Sequence, residues 1–244
     1  MDPFSFAPIA ALLGVAYATV QSLAALFTPI AGTAAAAIAT VTLTMLVRSA
    51  LIPVGVSQVK AEWTRRRLAP KLQELQRRYK KNPQLLQQKT LELYQGENAS
   101  MFAGILPALV QAPVLSLVYA LFLRTTVDGH ANALLTEHLL GTPLGVSFMH
   151  LIASGALWWP DLATFGALLA VMAGTAWVSR QIARHLVMPG ATPAAGATRL
   201  LSWLPFASVI FAAFVPLAAT LYLATTTLWT LVERVLLRRR YWHL

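Results

Sequence analysis

An all-α integral membrane protein is the fold class this chain predicts: a five-span helix bundle with a cytoplasmic helical hairpin and an N-terminal interfacial helix. Three observations predict it. The 244 residues are 57% hydrophobic and only 11% charged, with mean hydropathy +0.61, whereas a soluble domain is roughly a quarter charged. The apolar runs are long and do not alternate, which selects helices over a barrel. The charge is segregated: of the 19 Lys and Arg residues, all but Arg48 and Arg124 fall between Lys60 and Lys89, at Arg180, Arg184 and Arg199, or at Arg234 and Arg238 to Arg240. Basic segments stay cytoplasmic by the positive-inside rule, so these clusters set the topology.

The elements follow in order. Residues 1–29 are apolar with scattered polar positions and no basic residue before them. The segment is either a span or an interfacial helix, and the missing basic residue favours an external helix lying on the membrane, without a cleavable signal peptide. Residues 30–59 form the first clear span, running inward to the basic block. Residues 60–97 are read as a cytoplasmic helical hairpin. Leu68, Leu72, Leu75 and Tyr79 recur at helical spacing, and Asn82-Pro83 combines a cap with proline at the first helical position of a second helix. Residues 101–123 are an uncharged span. An external loop and a short re-entry ending at Trp158-Trp159-Pro160 lead to a span over 161–180. From Leu200 to Val232 there are 33 residues without a charge, too many for one span. Pro216 divides them into two short helices, 200–215 and 217–237. Residues 238–244 are a short basic tail. The N-terminus is then external and the C-terminus cytoplasmic.

Arg48 is the most informative residue. It is the only charged side chain in the 31 residues from Pro29 to Val59. An arginine at the centre of a span costs about 2.5–3.5 kcal/mol on insertion scales, and such residues mark functional sites by default. Lys60 lies 12 residues further on, roughly 18 Å of helix, against about 15 Å for half the hydrocarbon layer. Arg48 therefore falls near the midplane, unless Pro53 and Gly55 kink the helix. Thr40 and Thr44 precede it by two turns and one turn on the same face. They either extend a polar stripe or back-bond to carbonyls. Gln111, ten residues into the second span, either lines the same site or forms an interhelical hydrogen bond. Ser116, Tyr119, Ser179, Ser208, Thr220 and Tyr222 are weaker candidates of the same kind. An ion pair would make Arg48 structural, but the inferred spans hold no acid at its depth.

Composition also excludes. Without cysteine there is no disulfide, thiolate metal site, cysteine nucleophile or cysteine-linked lipid anchor. The five histidines lack metal-ligand spacing, and no Ser/His/Asp set or phosphate-binding loop appears. A protein without catalytic residues, metal or cofactor is expected. The net charge of +10 is better explained by topology and anionic lipid than by sequence-specific nucleic-acid binding.

Several segments, in this order and spacing, resemble the YidC/Oxa/Alb family of membrane protein insertases. They are Val47-Arg48-Ser49-Ala50-Leu51-Ile52-Pro53 with Gln58, then Leu68-Ala69-Pro70-Lys71-Leu72-Gln73-Glu74-Leu75 and Tyr79-Lys80-Lys81. Leu93-Tyr94 and Leu106-Pro107-Ala108-Leu109-Val110-Gln111-Ala112-Pro113 follow, then Leu204-Pro205-Phe206 and Pro216-Leu217-Ala218 with Leu221-Tyr222. The resemblance covers residues 30–237 and is nearest to the short actinobacterial members. This chain departs from the pattern at Ala218, Leu223 and Thr225-Thr226-Thr227. The resemblance implies an insertase and chaperone in a bacterial plasma membrane. Its hydrophilic intramembrane groove would be lined by Arg48, Thr44, Thr40, Gln111 and Tyr222. Its cytoplasmic recruitment loop would carry Arg65, Arg66, Arg67, Arg77 and Arg78. The implied partners are nascent membrane proteins and anionic lipids, with the Sec translocon, the ribosome and the signal recognition particle pathway as further candidates. The rival readings are a small transporter or anion channel using Arg48, which usually shows internal repeats not found here, and an intramembrane enzyme, for which no catalytic pair is present.

Overall fold

Interrupted apolar helices dominate the computed structural model, which describes residues 7–97, 99, 116, 120–122, 124–127, 130–185 and 202–241. Along the chain, α1 (Ala7–Ala31) leads through a 3₁₀ turn (Gly32–Ala34) into α2 (Ala35–Ala50), followed by α3 (Ile52–Arg78) and α4 (Pro83–Gly96). Two small antiparallel hairpins come next: β1 (Thr126–Val127) with β2 (His130–Ala131), and β3 (His138–Leu139) with β4 (Thr142–Pro143). The helices α5 (Phe148–Ala153), α6 (Trp159–His185), α7 (Leu204–Ala212) and α8 (Leu217–Tyr241) complete the order. Two stretches, Ala11–Ala50 and Trp159–Arg184, are long and apolar enough to cross a membrane. The span count of five is not decided by these residues.

The first expected span is not one helix. Gly32 adopts φ +53°, a left-handed conformation that glycine reaches without penalty, and separates α1 from α2. The second interruption is at Leu51. Pro53 occupies the start of α3, where its missing N–H costs nothing; the same N–H is what the Ser49 carbonyl would need to continue α2. From Ile52, α3 then runs unbroken past Lys60 to Arg78, so no helix end separates apolar sequence from basic sequence at residue 59. The fourth expected span, 200–215, also differs. Its helix α7 has nine residues, roughly 14 Å, too short to cross the hydrocarbon layer alone. It starts at Leu204, with Pro205 in its first turn, and ends before Pro216, as the prolines dictate.

The chain forms two units. The first comprises Met1–Ser49, Val114–Met188 and Thr192–Leu231. Its core joins Leu13 and Val20 of α1, Ala36, Ala37 and Ala39 of α2, Leu134 and Leu144 of the loop, Phe165 of α6, and Leu217 to Ala219, Leu221 and Tyr222 of α8. The alanines let helix backbones approach closely, which is how helices associate in lipid. The opposite faces keep Leu12, Val15, Leu26 and Ile30 of α1 and Ile210, Phe211 and Phe214 at the end of α7 exposed, as a lipid-facing surface requires.

The loop between residues 124 and 161 is stitched rather than loose. Asn132 is buried; its side chain donates to the Leu121 and Arg124 carbonyls and accepts from Leu134 N–H. Thr142 donates to Asp161 at 2.7 Å, and Asp161 also accepts from Trp158 N–H. The loop completes the α7–α8 hairpin. The first N–H groups of α8, at Leu217 and Ala218, donate to Val146 and Leu144, while Met149 N–H donates to the Ala213 carbonyl. Helix ends that would otherwise leave bare polar groups are thereby satisfied.

The second unit comprises Ala50–Pro113, Pro189–Ala191 and Val232–Leu244. Asn82 caps α4 through Leu85 N–H at 3.1 Å, with Pro83 at the first helical position. The far end of α4 returns to α3, where Glu97 binds Arg67 at 3.0 Å and Lys71. The last turns of α8 pack on α3 through Arg238, whose guanidinium contacts both Glu62 oxygens at 2.8 and 2.9 Å.

Candidate functional site

Arg48 stands in the last turn of α2. This position results from the Leu51 interruption, which a single span over residues 30–59 does not contain. A cation in the last turn faces carbonyls that lack helical partners and complements the helix dipole, typically by 0.3–1 kcal/mol. The side chain is half-buried. Among the described residues it has no carboxylate within ion-pair distance. Its charge reaches the Tyr222 phenol of α8, which is only 4% exposed. The neighbouring Met45 and Leu46 are exposed, so the cation stands beside an apolar surface.

The hydroxyls around this position are buried. Thr40 and Thr44 are each 2% exposed. Thr40 donates to the Ala36 carbonyl at 2.8 Å and Thr44 to the Thr40 carbonyl at 2.7 Å. Of the two sequence readings, the back-bonding one therefore describes their protons; their lone pairs alone are left to act as acceptors. Thr220 of α8 is fully buried and donates to the Ala212 carbonyl, which makes it a tie between α7 and α8. Two further buried hydroxyls are those of Thr164 of α6, which has no hydrogen-bond partner among the described residues, and Thr226 of α8, which lies beside the Tyr222 phenol. Thr226 follows Tyr222 by one turn, the i to i+4 spacing that could have flagged it. Gln111 lies outside the described residues. In the first unit, then, Thr40, Thr44 and Arg48 share α2, and the charge of Arg48 acts on the Tyr222 phenol of α8.

The arginines of the basic helix divide by their contacts. Arg65 and Arg77 are exposed. Arg66 lies 3.9 Å from Glu62, Arg67 is shared between Glu97 and the Trp63 ring, and Arg78 stacks on Tyr79 at 5.8 Å. Hydrogen bonding from Lys71, its charge and that of Arg67 hold the Glu97 carboxyl below its ordinary value of 4.5. Arg180 is not a free lipid-facing cation. It is 6% exposed and lies over the Trp203 ring at 3.8 Å, fastening α6 to the start of α7. Among the described residues no three His, Asp or Glu side chains are placed to hold a metal ion.

Comparison with known proteins identifies the family. The family model described as "60Kd inner membrane protein" matches residues 26–243. The membrane protein insertase YidC of Clostridium perfringens (strain 13 / Type A) is 35% identical over 119 residues, which is 49% of this chain and 42% of that protein. The protein of the same name from Zymomonas mobilis is 28% identical over 206 residues, 84% of this chain and 34% of that one. The membrane protein insertase MisCA of Bacillus subtilis is 26% identical over 202 residues, 80% of this chain and 67% of that one. The chain spans about a third to half of the length of the curated relatives named YidC that it matches. With the family match covering both units, from the end of α1 to the basic tail, the chain belongs to the 60Kd inner membrane protein family, the YidC/Oxa/Alb group its motifs resemble.

Proposed function

We propose that this chain is a membrane protein insertase. It receives the polar flank of a nascent apolar segment beside Arg48 and releases the segment sideways into lipid. One observation carries this reading: a half-buried arginine at a helix end, without a carboxylate partner among the described residues and next to exposed Met45 and Leu46. A paired arginine would have no capacity for a substrate. An unpaired one attracts the carboxylates and carbonyls of an entering chain, and that attraction is stronger at reduced effective dielectric than in water. Thr40, Thr44 and Tyr222 extend the polar neighbourhood as acceptors and a donor, and the family resemblance adds Gln111 to the proposed groove. The apolar surface beside the cation is the exit toward lipid. No covalent step is required, so the role is not enzymatic. The loop carbonyls that receive the start of α8 support a seal on the external side.

In this reading the chain lies in a bacterial plasma membrane with the N-terminus external and the C-terminus cytoplasmic, as the basic clusters favour. The hairpin of residues 60–97 is cytoplasmic and offers Arg65, Arg66, Arg67, Arg77 and Arg78 to nascent chains. The Sec translocon, the ribosome and the signal recognition particle pathway are partners in the same proposal. The test is complementation. Cells depleted of their own insertase receive this chain, and insertion of a single-span substrate with a short acidic external tail is followed. Insertion should be restored by wild type, partly retained by Arg48→Lys and impaired by Arg48→Ala. A stably expressed wild-type chain that inserts no such substrate refutes the proposal. Small-anion flux through liposomes holding the same chain would favour a channel instead.

A further inference from the structure

A cavity of about 320 Å³ on the second unit is lined by Lys60, Trp63 and Thr64 of α3 and by Tyr241 at the end of α8. The lysine ammonium lies over the Tyr241 ring, 5.1 Å from its centre. Three acids of this unit are engaged with other cations: Glu62 holds Arg238 and Arg66, Glu97 holds Arg67 and Lys71, and Glu92 holds Lys89. Among the described residues Lys60 has no carboxylate, only an aromatic face. Its three N–H donors are therefore available to an anion. Thr64 donates to the Lys60 carbonyl at 3.1 Å, which leaves the ammonium as the cavity's principal donor.

The walls indicate which anion. Lys60 is the first charge after the uncharged run that begins at Ser49. Trp63 and Tyr241 are the residue types that gather at the membrane–water boundary. A cation at that level, between two aromatic walls, matches a molecule with an anionic head and an apolar continuation. Free phosphate matches the cation but leaves the aromatic walls unused.

We propose that this cavity binds the phosphate headgroup of an anionic phospholipid, with Lys60 holding the phosphate and Trp63 and Tyr241 flanking the glycerol and the first acyl carbons. The inference rests on the membrane placement of α3 and is independent of insertase activity, because it is read on the purified chain. The experiment is native mass spectrometry of the full chain released from detergent, titrated with phosphatidylglycerol, phosphatidylcholine, glycerol phosphate or inorganic phosphate. The tightest phosphatidylglycerol adduct should weaken about tenfold in Lys60→Gln, the scale of one lost charge-assisted bond, persist in Lys60→Arg, and persist in Lys81→Gln at the hairpin turn. Tyr241→Ala should weaken it as well. Phosphatidylcholine should bind more weakly, and the two free phosphates should not displace the lipid. Four outcomes overturn the proposal: equal phosphatidylglycerol binding by wild type and Lys60→Gln; loss in Lys60→Arg equal to that in Lys60→Gln; full displacement by inorganic phosphate; or displacement by an acidic peptide that itself binds more tightly than the lipid.

Discussion

Replacing Arg48 with methionine should stabilise the protein while it disables insertion. A charged side chain at the bilayer centre costs about 2.5–3.5 kcal/mol. The end of α2 returns roughly 0.3–1 kcal/mol through its dipole and bare carbonyls. No ion pair adds to this, because none is present among the described residues. In the proposed hydrated groove the cost falls further, because a partly solvated guanidinium is penalised less than one in hydrocarbon. The balance is a net penalty of about 1–2 kcal/mol, and methionine removes it with similar length and no charge. At about 2–4 °C per kcal/mol for a chain of this size, Arg48→Met should melt several degrees higher than wild type. The assay is tryptophan fluorescence of purified protein in lipid nanodiscs during heating, paired with the insertion assay on the same variant. A melting temperature that falls with Arg48→Met refutes the reasoning, because it would make the arginine a structural element. Unchanged insertion would separately refute its contact with substrate.

Glu62→Gln should destabilise the protein by about 1–2 kcal/mol, the scale of a charge-assisted pair discounted for partial exposure. A double-mutant cycle with Arg238→Gln should show strong coupling, and additive effects would mean that the two-pronged contact contributes nothing. The Glu97 carboxyl is depressed in the folded state, so its contribution is present above the ordinary carboxylate value of 4.5 and is lost as pH falls below it. The protection factors of the α4 amides, with exchange corrected for the intrinsic rate at each pH, should accordingly fall at low pH and change little between pH 6 and 8. Leu140 holds φ 53° beside Gly141 at φ 90° in the turn joining β3 and β4, a pair of conformations suited to Asn-Gly. Leu140→Asn should raise stability by about 0.5–1 kcal/mol, read from the same thermal melt. A protease-cleavable tag on Met1 should be cut from outside intact cells, and protection there would reverse the proposed orientation.

Which parts were legible in advance follows from the range of the interactions. Low charge and long apolar runs announce membrane helices because lipid solvates nothing else, and Asn82-Pro83 starts α4 as a local cap predicts. Gly32, Pro53, Pro205 and Pro216 all mark helix boundaries, since φ preference and a missing N–H are properties of single residues. Even so, residues 30–59 read as one span in sequence, because a window of apolar residues does not reveal that a glycine will adopt positive φ.

Arg48 shows the division most clearly. Its rarity in an apolar run, and the expectation that it matters, are determined by the sequence alone, since the cost of an intramembrane charge is independent of fold. Tertiary structure decided its surroundings. It brought the Tyr222 phenol within reach of the Arg48 charge, from 174 positions away along the chain. It closed Arg238 onto Glu62 and Lys60 onto Tyr241, and it took Arg180 out of the free basic clusters by laying it on Trp203. Each of these depends on where distant helices meet, and helix meeting points are set by packing of small and large side chains over the whole bundle, which no local window of sequence contains.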